Sequence, residues 1–301
     1  MKRFAICAFF CFFALPAEAQ DIWQGKIIDA HSQVDHFVDL SAIPGYLEQA
    51  GVSKVILAAR GKVSPEDIAA LARNHPDKVV ASVRTKGNAY TKNAPHYYTL
   101  LKKQLGMPEF KAMAEINLWH AQKGNKAPLQ EVAASGPQAQ AAINAAINKG
   151  WPVVLHYEFR GAGERKTALM AELESVLKEH PNHPFLLTHM GQVDLSDAER
   201  LIAAYPNIHF ITSWSNTLAI NTSGQPWTNL FDGKGFADGW RALMSAHPDR
   251  FVLGFDNVFE GHWSSFYGKQ VRFWRKALAT LPGDAANKIA HGNAERLWRL
   301  N

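Results

Sequence analysis

From residue 26 onward the chain alternates short apolar runs with longer segments whose apolar residues recur every three to four positions. Short runs rich in β-branched residues and bounded by Gly, Pro or Asn read as strands buried on both faces. The three-to-four spacing reads as helices with one apolar face. Strands are expected at Lys26–Ala30, Lys54–Ala58, Val79–Val83, Lys111–Leu118, Pro152–His156, Pro184–His189, Ile208–Thr212 and Phe251–Phe255. Helices are expected at Ile43–Ala50, Pro65–Asn74, Tyr97–Leu105, Pro137–Asn148, Thr167–Glu179, Ser196–Ala204 and Ala237–Ala246, with Phe266–Thr280 and Ala285–Trp298 closing the chain. Ser64 is placed to cap its helix, and Gly150 to end the alanine-rich one.

Strands separated by helices pair in parallel, because a parallel partner needs a long crossover. The expected fold class is therefore α/β, a (β/α)8 TIM barrel forming a single domain over residues 20–301. An open doubly wound sheet is the competing arrangement, but no glycine-rich phosphate turn follows the first strand. The two long connections, Trp119–Gly136 and Ser213–Phe236, both follow strands. In a barrel that places them on the C-terminal face, where substrates bind.

The N-terminus has a different pattern. Lys2 and Arg3 precede an apolar run from Phe4 to Pro16, and Ala17-Glu18-Ala19 follows. A basic start, a short apolar stretch and a small-x-small site describe a secretory signal peptide over residues 1–19. The run is shorter than the ~20 residues of a membrane helix. The expectation is an exported protein, periplasmic or secreted, with no membrane contact after leader removal. Cys7 and Cys11 are the only cysteines and both lie in the leader, so the remaining chain has no disulfide and no thiolate metal site. Without Lys2, Arg3 and Glu18 the net charge falls from +5 to about +4, with no basic stripe. Nucleic acid is a poor partner for such a surface. A small molecule is the expected partner, and self-association is left open.

Polar residues of one chemical type recur where the expected strands finish. The first strand leads into His31-Ser32-Gln33, the third into Arg84, and the fourth carries Glu115. The fifth ends at His156, the sixth at His189 and the eighth at Asp256. Strand ends in a barrel share one mouth, so these imidazoles and carboxylates converge. They are the ligands of zinc and similar ions, and a catalytic site keeps one position open for water. Arg84 suits a bidentate grip on a substrate carboxylate. Tyr157, Arg160, Trp119, His120, Trp214 and Trp263, just past strand ends, suit a ring-bearing or apolar substrate. Ser213 and Ser215 lack the Gly-x-Ser-x-Gly elbow of a serine nucleophile.

Several segments together resemble the amidohydrolase superfamily, in particular its amidohydrolase-related (amidohydrolase 2) branch of lactone hydrolases and metal-dependent decarboxylases. They are Ile27-Ile28-Asp29-Ala30-His31, His75-Pro76-Asp77-Lys78, Pro184-Phe185-Leu186-Leu187-Thr188-His189-Met190-Gly191 and Tyr205-Pro206-Asn207-Ile208. His247-Pro248-Asp249-Arg250, Gly254-Phe255-Asp256 and Gly292-Asn293-Ala294-Glu295-Arg296-Leu297 complete the series. The resemblance implies that His31 and His156 bind metal, that His189 binds it or polarises the substrate, and that Asp256 both binds weakly and acts as general base. Ala114-Glu115-Ile116-Asn117-Leu118 resembles the segment in which a fourth-strand Glu ligates metal, with the family's glycines replaced.

The pattern departs from the family at one place. The family's His-x-His is His31-Ser32-Gln33 here, and a carboxamide oxygen is a weaker donor to a transition metal than imidazole. Three outcomes follow: Gln33 coordinates a harder ion such as Mn or Mg; one ion is held by His31, Glu115, His156 and Asp256; or metal binding is lost. His36 would substitute only if its loop turned back. The function expected is a metal-dependent hydrolase of a lactone, ester or amide, using one divalent ion (zinc, or Mn or Mg). There Asp256 takes the proton of water, and His189 or Arg84 stabilises the oxyanion. The alternatives are a non-oxidative decarboxylase of an aromatic acid on the same scaffold and a metal-free binding barrel.

Overall fold

The computed structural model describes residues 22–124, 127–233 and 235–300. The leader reading therefore lies outside the described residues. Twelve strands occur among them: β1 (Ile28–Val34), β2 (Lys54–Ala59), β3 (Val79–Val83), β4 (Phe110–Met113), β5 (Ile116–His120), β6 (Gln130–Glu131), β7 (Val153–Tyr157), β8 (Phe185–Leu187), β9 (Ile208–Ile211), β10 (Phe231–Asp232), β11 (Gly235–Phe236) and β12 (Phe251–Val252). One sheet runs β1-β2-β3-β4 and another β12-β9-β8-β7-β5-β6, and every pair but β5–β6 is parallel.

The two sheets close into one barrel. At one seam, β4 and β5 are the halves of the expected fourth strand, interrupted at Ala114-Glu115, with Ala114 N–H bonded to the Val83 carbonyl at 3.0 Å. At the other, the chain beyond β12 bonds to β1: Ala30 N–H to Leu253 O (3.0 Å), Asp256 N–H to His31 O (2.6 Å) and Gln33 N–H to Asn257 O (2.7 Å). Asp29 reinforces this seam. Its buried carboxyl accepts from the backbone of His31 and Phe255, from Ser32 Oγ (2.6 Å) and from Tyr267 OH (2.9 Å). Asp29 is thus a stitch between the first and last strands.

Alternate strand residues face two cores. Ile28, Ala30, Ile56, Val80, Ala112, Val154, Leu186, Ile211 and Val252 fill the barrel interior, and Ala294, Leu297 and Trp298 of the last helix plug its floor. Residues of the opposite parity pack beneath the outer helices. Helices start and stop where local chemistry dictates. Ser64 forms a capping box with Asp67 at the start of Pro65–Asn74, and Gly150 (φ +67°) ends Pro137–Lys149 in the left-handed conformation. The long connection after β5 adds β6 to that strand's edge. The one after β9 contains the helix Thr217–Ser223 and the β10–β11 ribbon, structure that periodicity alone did not reveal.

Candidate metal centre

Strand alternation carries each interior column up to the mouth. Ile56 and Ala58 lead to Arg60; Val80 and Ser82 lead to Arg84; Val154 leads to His156 and Glu158; Val252 and Gly254 lead to Asp256. Gly254 is required by proximity. A Cβ there would lie 2.7 Å from Ile211 Cγ2 and 3.1 Å from His31 Cβ, so the Gly254-x-Asp256 spacing lets the last strand close against the first.

Four residues reach the centre by breaking that alternation. In β1 the pairing to β2 slips between Asp29 and Ser32, so one extra residue is accommodated. This bulge turns His31 and Gln33 inward, where strict alternation from Ile28 and Ala30 would have placed Ser32. Both lie within β1, which extends four residues past its expected end. Glu115 sits in the gap between β4 and β5. His189 lies beyond the end of β8, which stops at Leu187, in a buried turn whose residues His189, Met190, Gly191 and Gln192 all have φ between 52 and 62°. Left-handed backbone is costly for three of these four residues, and strain of this kind gathers at functional sites. The Ser213 hydroxyl anchors the turn, lying 3.1 Å from His189 N and 3.0 Å from His189 Nδ1.

Donor atoms converge as a result. His31 Nε2 lies 3.5 Å from Asp256 Oδ1 and 3.6 Å from Glu115 Oε2. His189 Nε2 lies 3.8 Å from Asp256 Oδ2 and 4.0 Å from Glu115 Oε2. Four ligands placed 2.0–2.2 Å from a tetrahedral ion are separated by roughly 3.4 Å; here the donor atoms of His31, His189 and Asp256, and those of Glu115, His156 and His189, form two overlapping trios, each within 4.8 Å. His31 Nε2 is buried without a hydrogen-bond partner, which fits a nitrogen awaiting a cation. Burial, and after it His156, holds the His189 imidazole well below its usual pKa, so it is neutral, as a ligand must be.

Two residues of the expected donor set also make hydrogen bonds at the centre, and one of them, His156, stands with Glu115 and His189 in a trio whose donor atoms lie within 4.8 Å of one another. The amide nitrogen of Gln33 faces Asp256 Oδ1 at 2.7 Å and Glu115 Oε1 at 3.1 Å. The Gln33 oxygen, like His31 Nε2, is buried with no partner. His156 is bridged at both nitrogens, by Glu115 Oε2 at 2.7 Å and by Glu158 Oε1 at 3.1 Å. Burial opposes charge on the ring, but the two carboxylates outweigh it and raise His156 to about 9. Burial also opposes charge on Glu115, yet Lys86 and His156 hold its carboxyl well below the usual range.

Sequence reading missed Glu158 and Lys86. Glu158 is fully buried and takes Lys123 Nζ at 2.7 Å and Ala121 N–H at 2.9 Å besides His156. Its signal was alternation, two residues beyond His156. Lys86 pairs with Glu115 from the segment after β3, and no periodicity announces it.

Above the centre opens a cavity of about 800 Å³. Its lining includes the cations Arg60, Arg84 and Lys86 and the rings of Trp214, Trp227, Phe259 and His262, with the Arg60 guanidinium 5.1 Å from the Phe259 ring centroid. Arg84 donates to the carbonyls of Lys86 (3.2 Å) and Gly61 (2.8 Å) and pairs with no carboxylate among the described residues. Burial, and then Arg60, pulls its guanidinium below the ordinary value. Trp227 packs on His189 (4.7 Å between centroids), and the Trp214 indole donates to Asp256 Oδ2 at 3.1 Å. Trp119 and Tyr157 belong to the outer core, and Trp263 is buried near β1, where its indole donates to the Gln33 carbonyl at 3.1 Å. Arg160 reaches the Trp227 carbonyl at 3.0 Å. His36 pairs with Asp35 and does not enter the centre.

A closed parallel barrel with imidazoles and carboxylates gathered at its C-terminal strand ends defines the class, a TIM barrel carrying a metal-ligand constellation. The chain belongs to the amidohydrolase family, whose profile it matches over residues 28–300. Solved structures share the fold. An uncharacterised TIM-barrel protein from Bordetella bronchiseptica is 17% identical, with 92% of this chain and 99% of that one covered at a TM-score of 0.60. An amidohydrolase from Burkholderia multivorans with bound zinc is 13% identical, covering 92% and 100% at 0.54. A probable 2-pyrone-4,6-dicarboxylic acid hydrolase from Acinetobacter baumannii, with citric acid bound, is 14% identical, covering 91% and 100% at 0.52. Comparison with curated proteins gives no match.

Proposed function

We propose that this protein is a metal-dependent hydrolase that opens a lactone, ester or amide bond of a small anionic molecule. The carrying observation is a pair of imidazole nitrogens, His31 Nε2 and His189 Nε2, each 3.5–4.0 Å from Glu115 Oε2 and from a carboxylate oxygen of Asp256, the first of them buried and unpartnered. These residues would hold one divalent ion, with zinc favoured by the two imidazoles and Mn or Mg as the harder alternatives. A bound divalent ion polarises a carbonyl and lowers the pKa of water. The other steps fall to this chain's side chains. Asp256 takes the proton of the attacking water and returns it to the leaving group. The Trp214 indole fixes the Asp256 carboxylate for that transfer. Arg60 and Arg84 receive the anionic group of the substrate, which supplies the counter-charge that Arg84 lacks. Trp214, Trp227 and His262 flank a flat or apolar body. The zinc and the dicarboxylic acid hydrolase named for relatives of the same fold support hydrolysis and an anionic substrate.

Metal analysis of purified protein, followed by a screen of carboxylated lactones and esters, tests this. About one ion per chain and an activity lost on chelation are expected. Fewer than ~0.1 ion per chain after growth with Zn and Mn would defeat the reading. Carbon dioxide among the products would instead mark the decarboxylase. Export is part of the same proposal: an N-terminus near Gln20 on protein recovered outside the cytoplasm is the expected result, and full-length cytoplasmic protein the contrary one.

A further inference from the structure

The two oxygens of Glu115 face different chemistry. Oε2 looks towards imidazole nitrogens, 2.7 Å from His156 Nδ1, 3.6 Å from His31 Nε2 and 4.0 Å from His189 Nε2. Oε1 looks only towards hydrogen donors, the Lys86 ammonium and, at 3.1 Å, the Gln33 amide. Lys86 has no other carboxylate partner among the described residues. Its side chain is 21% exposed and borders the cavity, whereas that of Glu115 is only 3% exposed.

A carboxylate that bridges two ions offers one oxygen to each, the ions standing roughly 3.5–4 Å apart. Here the Oε2 side of Glu115 faces imidazoles, of which His156 would have to yield its hydrogen bond to a cation, whereas the other side is filled by an ammonium and an amide. Gln33 fills it further by donating to Asp256 Oδ1 at 2.7 Å, so the amide spans both carboxylates. A second metal ion would have to expel an ammonium and strip two carboxylates of a shared hydrogen bond.

We propose that Lys86 is the built-in second cation of this centre. With Gln33 it closes the place beside Glu115 Oε1, limits the site to one divalent ion, and presents fixed positive charge to the cavity, where negative charge develops on a substrate oxygen. This rests on the metal-centre reading above and goes beyond it by assigning the other half of the charge to a side chain. One consequence is not expected of an ordinary ion pair. An ammonium on one oxygen of a ligand carboxylate repels a cation on the other, at short range and largely shielded from solvent. Lys86 therefore weakens metal binding, and its removal tightens it.

The test uses the whole chain stripped by chelator and titrated with zinc alone. Stoichiometry is read by native mass spectrometry, and affinity by competition with a chromophoric chelator. The wild type should take one ion. Lys86→Gln and Lys86→Met should bind that ion roughly tenfold or more tightly, and Lys86→Arg, which keeps the charge, should stay within about threefold of wild type. The double variant Lys86→Met/Gln33→His should take two ions. Thermal melts of the stripped variants identify any that do not fold, and Lys86→Gln, which keeps a donor, is the mildest of the set. Unchanged or weaker binding in both neutral variants overturns the proposal, since it is what a plain structural ion pair gives. Two zinc ions on the wild type overturn it as well and leave the hydrolase reading standing. No zinc on the wild type brings down both.

Discussion

The Gln33 amide nitrogen lies 2.7 Å from Asp256 Oδ1 and 3.1 Å from Glu115 Oε1, joining the first, fourth and last strands of the barrel through one buried side chain. In metal-free protein this donor offsets the repulsion of two carboxylates. Gln33→Leu should lower the stability of chelated protein by roughly 2 kcal/mol, the scale of hydrogen bonds to charged groups. Urea unfolding with and without zinc measures this. A loss confined to the metal-free state is expected, and no loss in either would show that the amide holds nothing together.

His156 makes the metal-free protein sensitive to pH. Its folded pKa of about 9 lies above the unfolded value near 6.5, so the imidazolium's contribution is complete below about pH 6.5 and is lost as pH rises through about 9. The melting temperature of chelated protein should therefore fall between these values, and His156→Gln should flatten that fall. A wild-type melting temperature constant from pH 6.5 to 9.5 would refute the bridged arrangement with Glu115 and Glu158.

The left-handed turn that delivers His189 depends on Gly191. A Cβ at this position, where φ is +62°, would meet Leu187 Cδ1 at 3.0 Å and Phe159 at 3.3 Å. Gly191→Ala should cost about 1–3 kcal/mol from backbone strain and crowding. Denaturant unfolding reads the cost. Activity per folded molecule should fall too, because His189 rides on the turn.

Asp256 and its indole partner should separate chemistry from metal retention. Asp256→Asn keeps the side chain's shape and should reduce kcat by ~100-fold or more. Trp214→Phe removes the N–H 3.1 Å from Asp256 Oδ2 and should cost kcat about tenfold while zinc content holds. Steady-state kinetics alongside metal analysis checks both. Full activity in Asp256→Asn would displace it as the base.

Arg84 is expected to act on binding. Arg84→Met should raise KM for a carboxylated ester roughly tenfold and leave KM for its neutral analogue nearly unchanged. An equal rise for both would show that the guanidinium only shapes the loop.

Much of the barrel was legible because its signals are local. Apolar runs marked strand positions, Ser64 and Gly150 marked helix ends, and alternation from the interior columns leads directly to Arg84, His156 and Asp256. The same rule would have found Arg60 and Glu158. Expected and observed elements differ where the chain bends under contacts with other strands. The fourth strand splits at Glu115, β8 ends before His189, and the closing helix breaks into Gly283–Asn287, a wider turn at Lys288–Gly292, and Asn293–Trp298.

The sequence by itself determined the order of elements, the barrel class and the residue types gathered at its mouth, because periodicity and strand ends are properties of neighbours along the chain. Only the tertiary structure decided which atoms meet. The β1 bulge, the left-handed turn and the pairing of Lys86 with Glu115 arise from contacts between strands far apart in sequence. Those contacts set the Gln33 amide nitrogen between the Glu115 and Asp256 carboxylates, and His156 between Glu115 and Glu158. The direction of a buried side chain is set by the electrostatic balance of everything around it, and no spacing rule along a single strand contains that balance.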